Sequence, residues 1–132
     1  MGLFGKLFGD EGGAKKENAS SINWVQLTEI SQLGEIEKES ELQYIAILKH
    51  STRCGISRMV LKMFESDYDL PEDANVKMYF LDLIANREVS NAVADQFGVR
   101  HESPQLIVIH NREVVHHASH QSISAGKLKE LV

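Results

Sequence analysis

One cysteine, two prolines and one tryptophan are all that this 132-residue chain has of those residue types. A lone cysteine excludes an intramolecular disulfide, so the fold must rest on its apolar core, and nothing calls for an oxidising compartment. A cytoplasmic location is the expectation. Apolar runs are far shorter than the roughly 20 residues of a membrane-spanning helix. No continuous apolar stretch near the start marks a secretory signal. Positive charge is also in deficit: 14 Lys and Arg stand against 19 Asp and Glu, a net charge of −5. That balance supplies no bulk attraction to nucleic acid.

What remains is ordinary for one globular domain, with 42% hydrophobic and 25% charged residues. The first 21 residues differ from the rest. Met1-Gly-Leu-Phe-Gly-Lys-Leu-Phe-Gly9 places Leu3, Phe4, Leu7 and Phe8 on one side of a short helix. Residues 10–21 are rich in Gly, Lys and Ser, the composition of a flexible linker. Two readings are open for this tail: a peripheral anchor touching a membrane or partner, or a mobile segment that docks on its own domain or has no role. Residues 22–132 form the domain.

Hydrophobic periodicity divides that domain into nine elements. Residues 24–27 suit a short strand. Thr28 is a candidate N-cap for a helix running to residue 39, with Ile30, Leu33 and Ile36 at helical spacing. Residues 41–49 read as a strand and residues 55–67 as a helix carrying Met59, Val60, Met63 and Phe64. Pro71 breaks the loop that follows, and residues 76–81 form the next strand. A helix over 86–97 carries Val89, Val93 and Phe97 on one face, with Gly98 as its C′ residue. Pro104 then opens a strand over 105–110. Asn111-Arg112 makes a tight turn into residues 113–118, and Ser124 caps a last helix over 125–131. The order β-α-β-α-β-α-β-β-α implies an α/β fold: a central mixed sheet with helices on both faces. It matches the thioredoxin-like fold with an extra βα unit at its start.

Cys54 lies where the strand ending near Lys49 meets the next helix. A thiol at the N-terminal end of a helix dipole and beside cations is favoured as thiolate, the nucleophilic form. Arg53 adjoins it, Lys49 and His50 lie just upstream, and the N–H groups of Ile56 and Ser57 and the Ser57 hydroxyl are candidates to face the sulfur. The flanks Ser51, Thr52, Arg53 and Gly55 suit a loop better than a core. Cys54-Gly-Ile-Ser57 is the redox C-x-x-C pattern with its second thiol replaced by a hydroxyl. Without a resolving cysteine, Cys54 can only form mixed disulfides with outside thiols, and an outside thiol must release it.

Four segments carry a family resemblance: Lys49-His-Ser-Thr-Arg-Cys-Gly-Ile-Ser57, Tyr79-Phe-Leu-Asp-Leu83, Gly98-Val-Arg-His-Glu-Ser-Pro-Gln-Leu106 and Ala118-Ser-His120. Together they resemble the monothiol bacilliredoxin family of thioredoxin-like proteins, which is associated with the small thiol bacillithiol. The family's usual run is Thr-Cys-Pro-Ile-Ser, so this chain departs at Arg53 and Gly55. The resemblance implies thiol–disulfide exchange through Cys54, bacillithiol as co-substrate with no bound cofactor, and bacillithiol-capped client proteins as partners. It also places a cis-proline, Pro104, opposite the cysteine, with Ser103 before it offering backbone hydrogen bonds to a bound thiol compound. Thr52, Arg53, Gly55, Ile56, Ser57, Ser103 and Pro104 are therefore the thiol-binding or activating candidates around Cys54. A different class also fits: a binding module whose cysteine holds an iron–sulfur cluster across a dimer or docks partners. A peroxide-sensing thiol is a weaker option without a resolving cysteine.

Other polar residues read as structural. His116 and His117 point to opposite faces of a strand, so they and His120 do not assemble a metal site, and none is expected. Asp82 is a helix cap or a buried proton carrier, the cap being preferred. Residues 35–41 form an acidic, solvated helix face.

Overall fold

The computed structural model describes residues 22–132. The expected tail, residues 1–21, lies outside the described residues. Five strands and four helices follow in the expected order: β1 (Val25–Gln26), α1 (Ser31–Glu39), β2 (Tyr44–His50), α2 (Gly55–Asp67), β3 (Val76–Asp82), α3 (Arg87–Phe97), β4 (Gln105–His110), β5 (Glu113–Ser119) and α4 (Ala125–Leu131). A short 3₁₀ turn, His120–Ser122, precedes α4.

The sheet order is β1-β3-β2-β4-β5. β1, β3 and β2 pair parallel, as helical crossovers require, whereas β4 runs antiparallel to β2 and β5 antiparallel to β4. Strand alternation sorts the apolar residues into two layers. Odd-numbered Ile45, Ile47, Tyr79, Leu81, Ile107 and Ile109 pack with Leu33 and Ile36 of α1 and Val89 and Val93 of α3. Even-numbered Ala46, Leu48, Met78, Leu106 and Val108 pack with Phe64 of α2 and Ala125 and Leu128 of α4. Each fully buried aliphatic side chain in these layers contributes about 1.5–3 kcal/mol. The β4–β5 turn is a two-residue hairpin turn with Asn111 and Arg112 at positive φ, 52° and 67°. Ser40 anchors it: its carbonyl accepts from Asn111 N–H at 2.7 Å and its Oγ from Arg112 N–H at 2.9 Å. Gly98 ends α3 at φ 67°, the left-handed C-cap its residue type suits.

Several boundaries differ from expectation. Thr28 is not the cap of α1. Gln32 reaches back instead, its Oε1 accepting from the N–H groups of Thr28 and Glu29, and Ile30 occupies the cap position without a side-chain bond. β2 begins at Tyr44 rather than residue 41, because the chain turns at the end of α1 through bonds from Leu42 and Gln43 N–H to Glu39 O; Leu42 is left exposed. The acidic stretch is more than a solvated face. Glu39 accepts from Lys77 Nζ at 2.6 Å and Tyr79 Oη at 2.7 Å, and Glu37 and Glu41 both bind Arg112. The tertiary fold brings these cations from β3 and the hairpin turn, at sequence separations no local pattern covers. Asp82 is not a helix cap: its Oδ1 accepts from Ile84 and Ala85 N–H in the turn after β3, whereas Asn86 holds the cap position of α3 without a side-chain bond.

Candidate active site

β2 ends at His50 and α2 begins at Gly55, so four residues turn the chain from strand to helix. Cys54 is the N-cap of α2, half-buried, with extended backbone angles of −105° and 121°. Its N–H donates to Ser51 O at 3.2 Å, and its carbonyl accepts the first helical bond, from Arg58 N–H at 3.1 Å. The sulfur makes no capping hydrogen bond. It stands at the positive end of a 13-residue helix with no acidic residue in the first turn. Thr52, Arg53, Gly55 and Ile56 surround it as exposed residues.

Three placements differ from the sequence reading. Ser57 is fully buried, and its Oγ accepts from Ser51 N–H at 3.1 Å, which ties it to the backbone of the loop ahead of the cysteine. Lys49 points away from Cys54. Its odd position puts it in the α1/α3 layer, where it is 0% exposed and Nζ reaches Ser90 O at 3.2 Å and His101 Nδ1 at 3.1 Å. Burial pushes this ammonium down to about 8. His50 takes the opposite face, packed 5.3 Å from the Phe80 ring, and its buried Nδ1 has no hydrogen-bond partner. Burial pushes the His50 imidazole below its usual range; Asp82, Glu65 and the Ser57 backbone oppose that, and Arg58 adds to it.

Arg58 is the neighbour of this turn that the sequence reading missed. Its Nη1 donates to Thr52 O at 3.0 Å, and its Nη2 lies 3.8 Å from where a Cβ on Gly55 would stand. The guanidinium is thus folded over the turn that holds Cys54. The available signal was spacing: four residues past the N-cap is one helical turn away.

Ser103 and Pro104 enter from the second side. The Ser103–Pro104 peptide is cis. The register pairs Lys49 with Gln105, so Pro104 arrives beside the end of β2, where the chain turns toward Cys54. Ser103 Oγ is buried without a partner, and Pro104 O accepts from His120 N–H at 3.0 Å, tying this loop to the end of β5. Of the other histidines, His116 is half-buried and His117 exposed, both lining one recess beside α4, and His110 stacks on Tyr44 at 4.1 Å. Among the described residues, no group of three or more His, Cys, Asp or Glu is arranged to hold a metal, and no helix is long and apolar enough to cross a membrane.

Two stability results are expected from this geometry. Ser57→Ala strands the buried Ser51 N–H, which costs about 1–3 kcal/mol. The denaturation midpoint should fall while exchange by the remaining folded protein continues, since Ser57 Oγ faces Ser51. Gly55→Pro should act oppositely. Gly55 is the first helical residue, Cys54 already has the extended backbone a following proline demands, and an added Cβ meets only ordinary contact. A gain of about 0.4–1 kcal/mol is expected in denaturant melts; a loss would mean that the turn needs glycine.

The parallel-then-antiparallel sheet, the cysteine at the helix N-cap and the cis-proline beside the end of β2 define a thioredoxin-like protein. Solved structures agree. A proposed oxidoreductase with a thioredoxin fold superposes with TM-score 0.67 at 30% identity, over 80% of this chain and 90% of that one. A thioredoxin from Malassezia sympodialis gives 0.63 at 17% identity, over 89% and 95%. A mutant thioredoxin from Halobacterium salinarum gives 0.60 at 20%, over 88% and 93%. The chain belongs to the monothiol bacilliredoxin BrxC family, whose model matches residues 25–128. Family and fold together support a redox role in thiol exchange.

Proposed function

We propose that Cys54 removes bacillithiol, or a similar small thiol, from mixed disulfides on client proteins in the cytoplasm. The Cys54 thiolate attacks the small-thiol sulfur of the client mixed disulfide. A Cys54–bacillithiol disulfide forms, the client–bacillithiol bond breaks, and the client leaves as thiolate. A second small-thiol thiolate then attacks the cap, restores the Cys54 thiolate and departs as the symmetric disulfide. Neither step changes the total number of disulfides, so no bound cofactor is required.

The observation that carries this reading is the position of the chain's one thiol: at the N-cap of α2, with Arg58 folded over its turn and no second thiol to resolve it. In this reading Thr52 and Arg53 border the incoming disulfide. The first-turn N–H groups of Gly55, Ile56 and Ser57 lie at the positive helix end. Ser103 and Pro104 present backbone to the bound thiol compound, at the cis peptide beside the end of β2.

Intact mass tests it, after mixing reduced protein with a bacillithiol-capped client. One bacillithiol adduct together with released client is expected. An adduct with glutathione disulfide alone would assign another small thiol. No adduct with either, or visible absorbance after anaerobic purification, would replace exchange with cluster binding or partner docking.

A further inference from the structure

We propose that the apolar start of this chain, Leu3-Phe4 and Leu7-Phe8, docks on the outward face of α2 next to Cys54. Ile56, Met59 and Met63 form a stripe at helical spacing that begins two residues past the cysteine, and they are 43%, 49% and 58% exposed. Among the described residues, the other exposed large apolar side chains, Ile30, Leu42 and Val115, lie elsewhere, two in loops and one on β5. Along the stripe, a cavity of about 100 Å³ opens between α2 and the segment leading into α4. Met59, Met63, Phe64, Ile123 and Ala125 line it together with Asp67. Such a recess suits an apolar side chain, and methionines adapt to partners of varied shape.

The place where the described chain starts favours its own tail as the occupant. Ile22 is buried among Phe64, Ala125 and Leu128, in the α2/α4 layer. Trp24 continues there, 6.1 Å from the Phe64 ring and donating Nε1–H to Glu65 at 2.8 Å. The described chain therefore begins on the α2 side of the sheet. The linker between Phe8 and Ile22 can span roughly 40 Å when extended, whereas α2 is about 20 Å long. Reach is ample, and tethering supplies a high effective concentration for a weak contact. Charge agrees as well: Lys6, between the two apolar pairs, meets a recess lined in part by Asp67. Docked there, the segment borders Cys54 and competes with bulky partners for the same face.

The test compares full-length wild type with the variant L3S/F4S/L7S/F8S by methionine-methyl NMR over a dilution series. Displaced Met59 and Met63 signals at every concentration, with buried Met78 unmoved, are expected. Alkylation of Cys54 by a bulky maleimide should then be severalfold faster in the variant, with iodoacetamide unaffected. Identical spectra would overturn the proposal. Displacement only in concentrated samples would overturn it in favour of a second copy. Identical spectra together with co-sedimentation of wild type alone on anionic phospholipid vesicles would overturn it in favour of a membrane.

Discussion

Cys54→Ser should leave no mixed-disulfide adduct while keeping, or slightly raising, stability. The loss is complete because the chain has no other cysteine, and a serine hydroxyl at neutral pH does not displace a thiolate from a disulfide. The stability follows from the cap. The sulfur makes no capping bond, whereas serine is among the preferred N-cap residues and can accept from the first-turn N–H groups. A gain of up to about 1 kcal/mol is expected. Intact mass after incubation with an excess of small-thiol disulfide, together with a denaturant melt, checks both halves. A persisting adduct would mean another nucleophile. A large loss of stability would mean that Cys54 is a packing residue first, and the functional reading would lose its central support.

Lys49→Met should raise the unfolding free energy at pH 7 by roughly 1–3 kcal/mol, because a buried charge without a carboxylate partner costs more than it returns. Lys49 is fully buried and bonds only to a carbonyl and an imidazole. The drop from 10.5 to about 8 corresponds to about 3 kcal/mol of penalty on the charged form. The folded state releases this proton more readily than the unfolded state does. The penalty is therefore complete below about pH 8 and fades as pH rises toward 10.5. Wild-type stability should gain from this group between pH 8 and 10, and the methionine variant should lack that gain. Tyr68 and Tyr79, pushed up chiefly by burial, erode stability only above their ordinary value of 10.0, outside that window. Denaturant melts of both proteins at pH 7 and pH 9 decide the matter. A less stable methionine variant at pH 7 would show that the ammonium's two hydrogen bonds outweigh its burial.

The fold was largely legible because its signals are local. The unbroken apolar runs Ile45 to Leu48 and Leu106 to Ile109 mark strands buried on both faces. Asn111-Arg112 marks the hairpin turn, and Gly98 marks a helix end. Boundaries slipped where a side chain from farther along took over a local role, as Gln32 did at Thr28 and Glu29. The cysteine was legible too: its uniqueness, the loop flanks and the missing second thiol name the chemistry.

By itself, then, the sequence determined the αβ order, the two-layer core and a mechanism limited to exchange with outside thiols. Only the tertiary structure decided which charged and polar groups share the cysteine's surroundings. One residue of strand parity sends Lys49 to the α3 layer and His50 to the α2 layer. One helical turn brings Arg58 back over the Cys54 turn, while Ser57 rotates inward to bind Ser51. The reason is geometric. Proximity along the chain says little about proximity in space once a strand sends successive residues to opposite faces.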